Sequence, residues 1–105
     1  MGVMRYILVL QWHGSTEADF EALVHMEDLL ESRFGGAGSL DGHDFGSGEM
    51  NIFIETEEPS QAFATAKEIL SVCPAWAYVR AAFREANGEI YEVLWPLDLT
   101  TFSVK

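Results

Sequence analysis

Residues 41–54 read DGHDFGSGEMNIFI, and this stretch decides how the chain is expected to fold. Gly46, Ser47 and Gly48 separate a polar segment from the apolar run that begins at Met50, a pattern typical of a β-hairpin. Residues 39–46 and 50–56 are therefore predicted to be two paired strands joined by a tight turn.

The residues before this hairpin predict a strand followed by a helix. Residues 4–12 are almost continuously apolar, which favours a central strand buried on both faces. Thr16, with Asp19 three residues later, is typical of a capped helix start. Apolar residues then recur at helical spacing as far as Phe34, so residues 16–34 are predicted to form an amphipathic helix.

The residues after the hairpin predict a second helix and a second pair of strands. Pro59 follows two glutamates and suits a first helical position, and the apolar stripe of this helix continues to Cys73. Residues 76–85 alternate in polarity, which predicts a strand. Asn87 and Gly88 predict a turn into a last strand over residues 89–95. From about residue 96 onward the chain is predicted to be an extended tail.

The resulting order, β-α-β-β-α-β with a C-terminal β hairpin, resembles the ferredoxin-like superfamily of small α+β domains. The resemblance covers residues 4–95, and residues 41–53 look similar to small uncharacterised bacterial proteins of this shape. It implies a sandwich in which an antiparallel sheet carries both helices on one face, as a single domain over residues 1–105. The superfamily includes haem-degrading monooxygenases, metal-binding regulatory modules, acylphosphatases and interaction domains, so the fold alone selects no activity.

Composition excludes several classes of function. The chain has 105 residues, of which 17 are acidic and 6 basic, giving a net charge of −11. Such a surface repels nucleic acids and anionic membranes, and no apolar run approaches the roughly 18 residues of a membrane span. The single cysteine excludes an internal disulfide and fits a cytoplasmic protein. The acidity keeps the protein in solution or, alternatively, docks a basic protein partner.

The aromatic residues predict a homodimer. If residues 76–85 form a strand, Trp76 and Tyr78 lie on the sheet face that the helices leave open, with Tyr91 or Trp95 beside them. Because a small sheet rarely leaves so much aromatic area in water, Trp76, Tyr78 and Trp95 are predicted to form a dimer interface. The alternatives are a hydrophobic ligand held against this face and a tail folded over it.

The hairpin carries the candidate chemical site. Asp41 and His43 are expected on one face of their strand and Asp44 on the other. A carboxylate can orient an imidazole for proton transfer, and Glu49 lies across the hairpin from them. The candidate catalytic residues are therefore Asp41, His43, Asp44 and Glu49, and the candidate ligand-binding residues are His13, Ser47 and Asn51. The competing explanation is that these side chains only satisfy the amides of the turn.

The sequence contains no recognised catalytic or cofactor motif. The glycines around Ser47 precede a strand, whereas a nucleophile elbow or a phosphate cradle needs a following helix. No cofactor and no metal are expected, and whether the protein is an enzyme is left open. The sequence favours a small acidic binding or interaction module, dimeric through its open sheet face. The alternatives are a small enzyme or metal- or ligand-binding protein with its site in residues 41–51, and a binder of haem or another apolar ligand.

Overall fold

The computed structural model describes residues 4–105 as an α+β fold with five strands and two α-helices. The strands are β1 (Tyr6–His13), β2 (Ser39–Gly46), β3 (Glu49–Thr56), β4 (Arg80–Glu85) and β5 (Glu92–Trp95). The helices are α1 (Glu17–Arg33) and α2 (Pro59–Leu70). The strands form one antiparallel sheet in the order β2-β3-β1-β4-β5, so β1 is central, as its apolar sequence predicts. No helix within residues 4–105 is long and apolar enough to cross a bilayer.

Both helices pack on the same face of the sheet. Buried side chains of α1 and α2 belong to one core cluster with the even-numbered residues of β1. The cluster contains Leu23, Met26 and Leu30 of α1, Ala62, Ala66 and Leu70 of α2, and Leu8, Leu10 and Trp12 of β1. Because side chains alternate along a strand, the odd-numbered residues of β1 face away from the helices.

The start of α1 is fixed by a capping box, as predicted. Thr16 Oγ1 accepts a hydrogen bond from the Asp19 N–H at 3.1 Å, and Asp19 Oδ2 accepts one from the Thr16 N–H at 3.0 Å. Backbone N–H groups of Thr16 and Ser15 donate to the same carboxylate, and they hold the pKa of Asp19 below its usual value. The cap therefore sets the point where the chain leaves β1 and enters the helix.

The β2–β3 hairpin also forms where the sequence predicts it. Ser47 and Gly48 connect the strands with φ values of 56° and 80°. Positive φ at both central residues is what a two-residue turn needs to match the twist of its strands. The pairing shifts by one residue between Leu40 and Gly42, which makes Asp41 the extra residue of a β-bulge.

The prediction of a strand over residues 76–85 is wrong in its first part. Residues Pro74–Tyr78 form a 3₁₀ helix, and β4 begins only at Arg80. The indole of Trp12 donates from Nε1 to the carbonyl oxygen of Ala75 at 3.0 Å, and Trp76 stacks on Phe63 of α2 at 5.7 Å. These tertiary contacts hold the segment in the helical layer, although its alternating sequence suits a strand.

The second helix and the last strand are shorter than predicted. α2 ends at Leu70 and not at Cys73, and β5 starts at Glu92 and not at residue 89. The connection between β4 and β5 is therefore longer than the two-residue hairpin that Asn87 and Gly88 suggest.

The sheet face opposite the helices is covered by residues 99–105, which we call the strap. Gln11 Nε2 donates to the carbonyl oxygen of Ser103 at 2.9 Å, and the Phe102 ring lies 5.1 Å from that of Tyr91. Val9 and Ala82, which point to this face, are fully buried. Of the explanations that the sequence left open for this face, a tail folded over it is the one observed within this chain.

Candidate functional site

The polar residues of the hairpin are divided between the helix side of the sheet, the strap side and the bulge at Asp41. His43 pairs with Ile52, whose side chain is in the helix-side core, whereas Asp44 pairs with Asn51 on the strap side. The bulge at Asp41 interrupts the regular alternation on which the expected placement of Asp41 and His43 on one strand face depends. His43 therefore lies on the opposite face of the sheet from Asp44 and Glu49.

His43 has its carboxylate partner on a helix. Its Nδ1 lies 2.9 and 3.0 Å from the two carboxylate oxygens of Glu27 in α1. The ring also meets the edge of Phe20 of the same helix, with centroids 6.0 Å apart. His43 thus joins the edge strand to α1. Sequence reasoning missed Glu27, because nothing in the sequence indicates which turn of α1 faces β2.

Three polar side chains do converge under the strap. Gln11 of β1 and Glu49 and Asn51 of β3 are at most 3% exposed. Gln11 Nε2 donates to Asn51 Oδ1 at 2.9 Å, and both amides lie 3.4 Å from Glu49 Oε1. We call these three residues the polar row. Gln11 was not a predicted site residue, although a glutamine inside an apolar strand is a signal that could have been used.

His13 reaches the same end of the sheet. The antiparallel register makes His13 the direct partner of Glu49, and the Gly14 N–H donates to the Gly48 carbonyl oxygen at 3.1 Å. His13 is exposed, as is Ser47 in the turn. The predicted ligand-binding residues His13 and Asn51 therefore border the same edge of the hairpin, with Asn51 buried and His13 open to solvent.

The three aromatic residues predicted at a dimer interface lie on the helix side. Trp76 packs against Phe63, and the Trp95 ring lies 5.7 Å from Lys67 Nζ, so both contact α2. Tyr78 projects into solvent at the end of the 3₁₀ helix. Their predicted position on the open sheet face is wrong, because Trp76 and Tyr78 precede β4. An interface formed by these residues stays a prediction.

An apolar groove runs between α1 and the chain that follows α2. It consists of two adjoining cavities of about 290 Å³ and about 450 Å³, which share Ala22, Pro74 and Ala75. Val72 stands at one end, 78% exposed, and Tyr78 at the other, 80% exposed. We call this feature the Tyr78 groove. Its polar lining residues include His13, Asp19 and His25.

The surroundings of Cys73 do not activate its thiol. Burial raises the pKa of the Cys73 thiol, which lines the groove, and this disfavours the thiolate that a nucleophile requires. Within residues 4–105, no group of three or more His, Cys, Asp or Glu side chains is placed to hold a metal ion.

Comparisons with protein families, with curated proteins and with solved structures gave no match to this chain.

Proposed function

We propose that this protein is a small acidic binding module, and that the Tyr78 groove docks an amphipathic, basic segment of a partner protein. The observation that carries the proposal is an apolar groove whose exposed side chains lie beside the acidic surface of α1.

We also infer a ferredoxin-like plan for the domain. The β-α-β-β-α-β order and the adjacent central strands β1 and β3 support that inference.

The apolar part of the argument rests on exposure. Val72 and Tyr78 leave most of their side-chain surface in water beside Ala22 and Pro74, which are themselves apolar. Contiguous exposed apolar surface of this kind marks binding sites more often than isolated exposed residues do. Tyrosine is also enriched at binding hot spots, because it presents a large rigid ring with a polar end. The groove can therefore receive apolar side chains of a partner.

The charge of the partner follows from the helix that forms one wall. Glu21 and Asp28 lie four residues before and three residues after His25, so they are its neighbours on the surface of α1. Asp19 lines the groove directly. With a net charge of −11 on the whole chain, this wall attracts lysine and arginine and repels acidic segments.

A catalytic site in residues 41–51 has weaker support. His43 is engaged by Glu27, Glu49 lies under the strap, and Asp41 is the extra residue of the bulge. A general acid–base pair needs its members within hydrogen-bond reach of one substrate position. The separation of these side chains favours binding over catalysis.

The test uses a defined probe. A fluorescein-labelled amphipathic helix of leucine and lysine is titrated with the protein, and binding is followed by fluorescence anisotropy. We expect the Tyr78→Ser variant to bind at least about tenfold more weakly than the wild type, as loss of a hot-spot aromatic does. Ile90→Ser is the matched control, because Ile90 is 88% exposed and lies outside the groove.

Two further titrations separate the contribution of charge to binding from that of apolar contact. A leucine and glutamate helix of the same length should not bind, and added salt should weaken binding of the lysine peptide. Equal binding of both peptides, or equal affinity of Tyr78→Ser and the wild type, would show that the groove is not the docking site.

A further inference from the structure

The polar row binds the strap through the strap's main chain. Gln11 Nε2 donates to the Ser103 carbonyl oxygen at 2.9 Å, and the Lys105 N–H donates to Glu49 Oε1 at 2.7 Å. In an extended chain, the carbonyl of one residue and the N–H of the second residue after it point to the same side. The row therefore presents to the strap the donor and acceptor that a neighbouring strand would offer.

These hydrogen bonds are made with the main chain of the strap and not with its side chains. Every residue except proline supplies the same N–H and carbonyl groups, so the row alone does not select a sequence. Selection comes from Phe102, whose ring packs at 5.1 Å against Tyr91. Peptides that add to a sheet edge are recognised by the same division, with main-chain bonds for affinity and side-chain contacts for selection; here side chains on the sheet face supply the partners of the main chain.

The charge of the strap is compatible with this position. Residues 99–105 read LTTFSVK, which contains one lysine and no acidic residue. Asp98 precedes this segment directly and offsets its lysine, so the acidic body neither strongly attracts nor strongly repels this part of the chain, whether or not the two are covalently joined. Leu97, which precedes it, is 86% exposed and does not tie the segment down.

We propose that the polar row is a binding site for extended main chain, and that it accepts the strap of a second copy of this protein. The strap of a second copy makes the same contacts as the chain's own strap, because both have the same sequence. Exchange then depends on protein concentration and gives a symmetric dimer, in which each copy holds the other's residues 99–105. The sequence predicts a dimer that forms through Trp76, Tyr78 and Trp95. The dimer proposed here forms instead through the polar row and the strap, and does not involve the Tyr78 groove.

The first experiment adds the strap as a separate peptide to the full chain. Fluorescein-labelled LTTFSVK is titrated with the wild type and with Phe102→Ala, whose own strap lacks its anchor. Because a site occupied within its own chain binds an added ligand in proportion to its vacant fraction, we expect the variant to bind about tenfold more tightly. A peptide with alanine in place of phenylalanine is the control and should bind both proteins more weakly.

The binding position is read by nuclear magnetic resonance. The side-chain amide signals of Gln11 and Asn51 in Phe102→Ala should shift on adding LTTFSVK, and Tyr78→Ser should leave the peptide affinity unchanged. Failure of Phe102→Ala to bind the peptide more tightly than the wild type, or binding without shifts of these amides, would overturn the main-chain site.

The second experiment tests exchange between copies. Sedimentation velocity of the wild type should show a dimer fraction that rises with concentration and falls in the Phe102→Ala variant. A wild type that stays monomeric while the peptide binds would overturn exchange and leave a main-chain site. A dimer unaffected by Phe102→Ala would mean that another surface joins the copies.

Discussion

The indole Nε1 of Trp12 donates a hydrogen bond to the carbonyl oxygen of Ala75 at 3.0 Å, which joins the central strand to the 3₁₀ helix. Trp12 is 2% exposed and also lines the Tyr78 groove. A buried residue of the sheet thus holds in place the 3₁₀ helix that forms one side of the groove and ends at Tyr78.

Replacing Trp12 with phenylalanine should therefore destabilise the protein and loosen the groove. The variant loses the donor to Ala75 and part of a buried ring, and we expect the free energy of unfolding to fall by about 2–3 kcal/mol. Urea denaturation measures the loss. Trp76→Phe is the control, because the Trp76 ring stacks on Phe63 and phenylalanine retains that contact. Equal losses in both variants would show that the Ala75 bond contributes little.

The parts of the fold that the sequence predicts correctly depend on neighbouring residues. The capping box joins Thr16 to Asp19, and the hairpin turn depends on Ser47 and Gly48. The parts it misses depend on distant residues. Trp12 and Ala75 are 63 positions apart, Gln11 and Ser103 are 92 apart, and these contacts decide the 3₁₀ helix and the covered sheet face.

The candidate site shows the same division. Period-two alternation assigns the faces of side chains only while a strand is regular, and the bulge at Asp41 interrupts that alternation between Asp41 and His43. The partnership of His13 with Glu49 depended on the register of β1 and β3, which the hairpin alone does not determine. A buried glutamine in β1 was visible in the sequence, but its partner in the strap was not.

Replacing Asn51 with aspartate should make stability depend on pH. Asn51 is fully buried with its Nδ2 3.4 Å from Glu49 Oε1, so the variant places two carboxyl groups together out of water. We expect a loss of about 2–4 kcal/mol at neutral pH. The new pair holds a proton more tightly when folded than when unfolded, so stability should recover as pH falls from 7 towards 5.

The control for this variant is Asn87→Asp, which makes the same chemical change on an exposed residue. Urea denaturation at several pH values should show no comparable recovery for the control. A loss in Asn51→Asp that does not change with pH would mean that the two carboxyl groups are not close in the folded protein.

The contact between His43 and Glu27 should stabilise the folded protein only slightly. Their side chains are 33% and 18% exposed, so we expect a coupling energy of no more than about 1 kcal/mol. The double-mutant cycle of His43→Gln, Glu27→Gln and the double variant measures this coupling energy.

Native mass spectrometry with added zinc should give the same spectrum for His43→Gln and the wild type. Zinc bound by the wild type and lost in the variant would restore a metal site in the hairpin as the better explanation.

Cys73 reports on the Tyr78 groove. Because burial raises the pKa of its thiol, its thiolate fraction at pH 8 is smaller than that of a free exposed cysteine. Alkylation by iodoacetamide should therefore be slower than for a small thiol, and its rate should still be rising above the pH at which the small thiol levels off. Cys73 lines the groove, so the leucine and lysine helix should slow alkylation further, whereas LTTFSVK should not. Protection by both peptides would place them in one site, and protection by neither would exclude the groove as the docking surface for the helix.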